Sequence, residues 1–308
     1  MPIQIIPSLS NDLSHYAVLL RMVNQVVRSE SVVEEIELAL GSGFYYLHED
    51  HYYLITNGHN VTGVNPETQT RLSAHAAFPT HLTRQQRFRG QTVMPEAIRR
   101  AVDSEGINPD HVLMMHPTAT KTTFALYHDN DSTQPDWYIH PVHGYKVDVV
   151  ALPLGHKDSF PPHIEYNAIN KSPLLTEEPW IADDVFILGY PFGVTNELEL
   201  PIWKKGSIAS EPNMDYKELP KMLIDTASRS GMSGAPVILR RSGIHGLVGG
   251  KMVETSSIGT VFGFVGIYSG RIGAQDELSA QLGIVWRKQV IEEILAAKVV
   301  GTIAFQLI

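Results

Sequence analysis

The stretch that most limits what this chain can fold into is SRSGMSGAPVI, residues 228–238. It sets Ser233 between small residues, with the apolar run LPKMLI before it and PVIL after it. A serine hydroxyl attacks a carbonyl only when a base takes its proton and donors hold the resulting oxyanion. Gly231 lets the backbone bend so that the amides of Gly231 and Ser233 can aim at one point. Gly234 and Ala235 let the chain pack closely behind the serine. The segment therefore predicts acyl transfer, and it demands a histidine and a carboxylate held at the ends of buried strands.

Both occur upstream. HYYLITNGHNVTG carries His59 just after an apolar strand, and YKVDVVALPL carries Asp148 among β-branched residues. A carboxylate followed by VVAL is costly to bury without a partner. The order His59, Asp148, Ser233 is one of three that unrelated folds use for the same chemistry. An esterase of the α/β type needs the reverse order and a Gly-x-Ser-x-Gly elbow, whereas this chain reads Gly231-Met232-Ser233-Gly234-Ala235.

Seven blocks in sequence carry a resemblance: GSGFYY (41–46), LITNGHNV (54–61), VDVVAL (147–152), LGYPFG (188–193), WKKGSIAS (203–210), SGMSGAPV (230–237) and FVGIYSGR (264–271). Together they resemble a trypsin-like serine peptidase, most similar to the protease domain of the bacterial HtrA group. The resemblance implies an all-β-dominated chain of two six-stranded antiparallel β-barrels, chymotrypsin-like, with the site in the cleft between them. It implies His59, Asp148 and Ser233 as the triad and Gly231 with Ser233 as the oxyanion donors. It implies Ser269 beside the buried aspartate, at the start of the strand against which substrate pairs. Ala227, Ser269, Gly270 and Arg271 are then the substrate-binding candidates. Ala227 replaces the acidic base that draws Lys or Arg into a trypsin pocket, so a small, apolar or acidic side chain is expected before the scissile bond. Met232 stands where digestive enzymes place an aspartate for a newly cut N-terminus and HtrA enzymes usually an asparagine. The oxyanion loop must then be ordered otherwise, by packing of Met232 or by a regulatory protein partner.

The remaining sequence sets the layout. LSHYAVLLRMVNQVVRS (13–29) has helical apolar spacing and predicts a helix within an N-terminal extension, 1–34. Residues 35–154 read as the first barrel, with His-Glu-Asp-His as a hairpin turn. An inserted segment spans about 65–120 and includes a short helix over MPEAIRRAVDSEG. PLGHKDSFPPH (153–163) reads as the crossing. Residues 155–308 supply the second barrel and a C-terminal helix over 285–297, apolar at Val290, Ile291, Ile294 and Leu295.

Composition excludes several function classes. The chain of 308 residues has a net charge of −9, which argues against a nucleic-acid partner. It has no cysteine, so disulfides, thiol chemistry and cysteine-ligated zinc are all excluded. His140 and His143 have a spacing that could hold a metal but no third ligand, and no cofactor is expected. No uninterrupted apolar run is long enough to span a membrane. The first residues lack the basic and apolar regions of a secretory signal, so a cytoplasmic protein is expected. The expected partner is a protein or peptide substrate. The competing reading is a catalytically silent fold of the same family that binds proteins, against which intact His59, Asp148 and Ser233 argue.

Overall fold

The computed structural model describes residues 12–29, 32–66, 68–72, 77–86, 120–128, 133–160, 166–172, 174, 178–195, 199–227, 229–246, 251–254, 256–271 and 281–303. Among the described residues, fourteen strands form two antiparallel sheets. The first sheet contains β1 (Ala17–Ser29), β2 (Val32–His48), β3 (His51–Thr56), β4 (His81–Gln86), β5 (Thr120–Ala125), β6 (Tyr138–Ile139), β7 (Val150–His156) and, from the far end of the chain, β14 (Val299–Val300). Its order is β14-β6-β7-β3-β2-β1-β4-β5. The second contains β8 (Asp184–Gly189), β9 (Ile202–Ile208), β10 (Lys221–Asp225), β11 (Pro236–His245), β12 (Ser257–Arg271) and β13 (Leu282–Arg287), and closes into a six-stranded barrel. The first sheet differs from the expected six-stranded barrel. It has eight strands, and its ladder does not close among the described residues. The hairpin of β4 and β5 extends it beyond β1.

The predicted N-terminal helix is a strand. β1 pairs with β2 over most of its length and with β4 on its other edge. Leu19 enters the core between the two sheets, while Leu20 and Met22 enter the core on the other side of the first sheet. A strand buried on both faces loses the simple alternation that marks a half-buried one, and its apolar residues then mimic helical spacing. The predicted hairpin turn is present: Glu49 and Asp50 both hold left-handed φ, 46° and 62°, as a two-residue turn matched to strand twist requires. The helix expected over 94–106 lies outside the described residues.

The C-terminal helix α2 (Gln289–Ala297) buries Val290, Ile291, Ile294 and Leu295, the four positions its spacing predicts. Residues 285–287, expected to open it, instead finish β13. The helix packs on β6 and β7 of the first sheet, and β14 then pairs with β6. The chain's end thus returns to the first sheet. Phe44, Ile55, Ile238, Phe264, Trp286 and Ile291 share one apolar cluster, so the sheets meet through a continuous core. No helix among the described residues is long and apolar enough to cross a membrane.

Candidate active site

β3 ends at Thr56, and Asn57 leads into α1 (Gly58–Thr62), a single helical turn closed by left-handed Gly63 at φ 67°. This turn lifts His59 out of the sheet. Gly58 lets it pass close to the carboxylate, since a Cβ there would lie 3.2 Å from Asp148 Oδ1 and 3.3 Å from the Tyr145 ring. Asp148 is 2% exposed, just before β7. Its Oδ1 accepts the His59 backbone N–H at 2.9 Å. Its Oδ2 meets His59 Nδ1 at 2.6 Å and accepts the Ser269 hydroxyl at 2.5 Å. A carboxylate without a proton only accepts, so in the neutral imidazole the proton sits on Nδ1 and the lone pair on Nε2. Asn57 Nδ2 donates to the Asp148 carbonyl at 2.6 Å, fixing the backbone on which the carboxylate rides.

Ser233 stands in the loop between β10 and β11, half-buried. The first sheet holds this loop from across the interface. Ser42 on β2 donates its N–H to the Ser233 carbonyl at 2.7 Å and its hydroxyl to the Gly231 carbonyl at 2.8 Å. Asn60 Nδ2 donates to the Ser233 carbonyl at 3.1 Å. The Phe192 amide donates to the Ser230 carbonyl at 2.8 Å. Each of these bonds anchors a carbonyl, and the amides of Gly231 and Ser233 donate to no acceptor among the described residues. Met232 between them is fully buried in the second barrel's core, beside Val185, Ile187 and Val237. Of the two expected ways to order this loop, packing of Met232 is therefore realised within the chain.

Two glycines make the loop possible. At Gly231, φ 92°, a Cβ would lie 2.3 Å from the Tyr190 carbonyl oxygen. At Gly234, φ 87°, it would lie 2.1 Å from the Ser42 carbonyl oxygen. Both values lie in the left-handed region, and both contacts are with backbone that cannot move aside.

A cleft of about 670 Å³ runs between the two sheets, and His59, Asp148, Gly231, Ser233, Ser269 and Gly270 line it. His59 and Ser233 face this one space, with no hydrogen bond joining their side chains among the described residues. Such a bond commonly tightens only when substrate is bound. The ladder between β12 and β13 skips Ser269 and Gly270, and that between β11 and β12 stops at Ile267. Ala227 is half-buried and is not among the residues lining the cleft. Arg271 ends β12 opposite Gly283, and its side chain lies outside the described residues.

Sequence reasoning passed over Ser42, Asn57 and Asn60. Two of these stand beside His59 in TNGHN, and an amide buried next to a candidate histidine was a signal that could have been read. His140 is engaged as a structural residue: its Nε2 meets Glu293 at 2.6 Å, and its Nδ1 accepts the amides of Val142 and His143.

Residues 41–247 match the family model described as "Trypsin-like peptidase domain". Comparison with curated proteins gives no significant match. Among solved structures, the chain is similar to crystal structures of the Rv3671c protease from M. tuberculosis. For its inactive form the identity is 14% and the TM-score 0.39, covering 91% of this chain and 88% of that chain. For its active form the identity is 16% and the TM-score 0.39, covering 91% and 79%. A serine-to-alanine mutant in the inactive form has 15% identity and a TM-score of 0.39, covering 92% and 87%.

Proposed function

Because the chain belongs to the trypsin-like peptidase domain family, we propose that it is a serine endopeptidase that cleaves peptide bonds through an acyl-enzyme on Ser233. His59 Nε2 takes the Ser233 proton as Oγ attacks the scissile carbonyl carbon. Asp148 holds the imidazole tautomer and offsets the charge of the imidazolium. The amides of Gly231 and Ser233 receive the oxyanion, a contribution of roughly 3 kcal/mol per donor. The imidazolium then gives its proton to the leaving amine, and water repeats the sequence to release the acid. Substrate lies extended against Ser269 and Gly270.

One observation carries this reading more than any other. A carboxylate 2% exposed orients an imidazole that shares a cleft with a serine, and the amides of Gly231 and Ser233 have no acceptor among the described residues. A structural aspartate would need none of that. The reading is tested by hydrolysis of casein by the wild type and by Ser233→Ala. Cleavage by the wild type alone is expected; equal cleavage by both would assign the activity elsewhere, and its absence from both would favour a silent, protein-binding fold.

A further inference from the structure

A closed ring of buried polar groups joins the turn that carries His59 to the loop that carries Ser233. Its side chains are Thr56 at the end of β3, Ser42 on β2 and Asn60 in α1, at 0%, 0% and 1% exposure. The Thr56 hydroxyl donates to the Ser42 carbonyl at 2.7 Å. The Ser42 N–H donates to the Ser233 carbonyl at 2.7 Å. Asn60 Nδ2 donates to that same carbonyl at 3.1 Å and to Thr56 Oγ1 at 2.9 Å, which closes the ring. The Thr56 proton already goes to Ser42, so both neighbours of the Asn60 amide accept. Its nitrogen therefore faces them and uses both hydrogens. Beyond the ring, the Ser42 hydroxyl donates to the Gly231 carbonyl at 2.8 Å.

The end points of the ring give it a role beyond packing. Asn60 follows His59 in the same single helical turn, and the Ser233 carbonyl belongs to the proposed nucleophile itself. A bond between them fixes the separation of the proposed base from the proposed hydroxyl. The ring also bears on the oxyanion donors. The Met232 carbonyl accepts the Ala235 amide at 3.1 Å, and a trans peptide sets the Ser233 N–H opposite that carbonyl. Ser42 pins the peptide planes on either side, through the carbonyls of Gly231 and Ser233. Packing alone would be served as well by apolar side chains of the same shape. A fully satisfied polar ring differs from them by fixing direction as well as distance. We propose that Ser42, Thr56 and Asn60 are positioning residues, a strut that registers the His59 turn against the Ser233 loop so that imidazole and hydroxyl align when substrate binds. The proposal rests on the peptidase reading for its effect on turnover, but not for its hold on the loop.

The experiment keeps the two apart. Thr56→Val keeps the shape of the side chain and removes its hydroxyl, whereas Thr56→Ser keeps the hydroxyl and loses a methyl group. Full-length variants and wild type are compared in peptide hydrolysis, with urea unfolding to establish that each is folded under the assay. Thr56→Val is expected to lower kcat about 10- to 100-fold with little change in KM, and Thr56→Ser to keep kcat within about threefold of wild type. A merely structural role would lower stability in both variants and leave the turnover of folded molecules unchanged. Wild-type kcat in folded Thr56→Val, equal losses in the two variants, or a loss that falls on KM instead overturns the inference and leaves the peptidase reading intact. If Thr56→Val does not fold, Ser42→Ala decides by the same split between kcat and KM, since it deletes one oxygen and leaves the ring closed. A wild type that hydrolyses no peptide removes the peptidase reading, and amide hydrogen exchange of residues 230–235 in the same folded variants then decides. Exchange accelerated about tenfold or more in that loop, and not elsewhere, supports the strut; unchanged exchange overturns it.

Discussion

At the scale of single residues, the site is a chain of donors ending at one carboxylate. Asp148 receives three of them: the His59 amide, His59 Nδ1 and the Ser269 hydroxyl. Asp148→Asn offers a donor where the imidazole also donates, which turns the ring to its wrong tautomer. It is expected to lower kcat about 10⁴-fold while leaving the fold intact, as steady-state kinetics and circular dichroism would show. Ser269→Ala removes one donor and leaves the tautomer unchanged. Its expected cost is about 2 kcal/mol, read as a fall in kcat far smaller than that of Asp148→Asn. Equal losses in the two variants would contradict the hierarchy. The three candidate residues could be picked out because acyl transfer demands those side chains and each sits in a short, recognisable frame. Ser42 was not, because its role comes from where β2 crosses the loop of Ser233, and no local spacing records that crossing.

At the scale of elements, the loop between β10 and β11 is the most constrained piece. Gly234→Ala adds a Cβ 2.1 Å from the Ser42 oxygen and 2.5 Å from Thr56 Oγ1, in a left-handed conformation. It is expected to cost about 2 kcal/mol or more of stability, with activity lost alongside, by urea unfolding and peptide hydrolysis. The helix α2 is held by its apolar face: Leu295 is fully buried, and Leu295→Ala is expected to destabilise by about 2–5 kcal/mol in the same unfolding measurement. A cost under about 1 kcal/mol would mean that the helix is not the clamp on the first sheet that its packing describes. This helix was legible because one face alone is buried, so period and burial agree. β1 was not, because its two faces enter two cores and period says nothing about which element results. Pairing with β2 and β4 satisfies its backbone groups along both edges, and that tertiary gain overrides the helical pattern.

At the scale of the whole molecule, the two sheets are joined through the machinery as well as through apolar contact. His59 and Asp148 lie in segments next to β3 and β7 of the first sheet; Gly231 and Ser233 lie in the loop between β10 and β11, and Ser269 on β12, of the second. Ser42 and Asn60 reach from the first to hold the carbonyls of the second. The cleft between the sheets was foreseeable from the order of motifs. The number of strands in the first sheet was not, since β4 and β5 fall in the stretch that the motifs do not cover. The account's central claim is that distant parts of the chain assemble one activated hydroxyl, and a fluorophosphonate probe tests it directly. Full-length protein, without prior clipping, is treated with the probe and the adduct located by mass spectrometry. The account predicts a single adduct on Ser233 in the wild type, and its loss in His59→Ala that remains folded. No adduct on folded wild type, or labelling of Ser233 that is indifferent to His59, would contradict it.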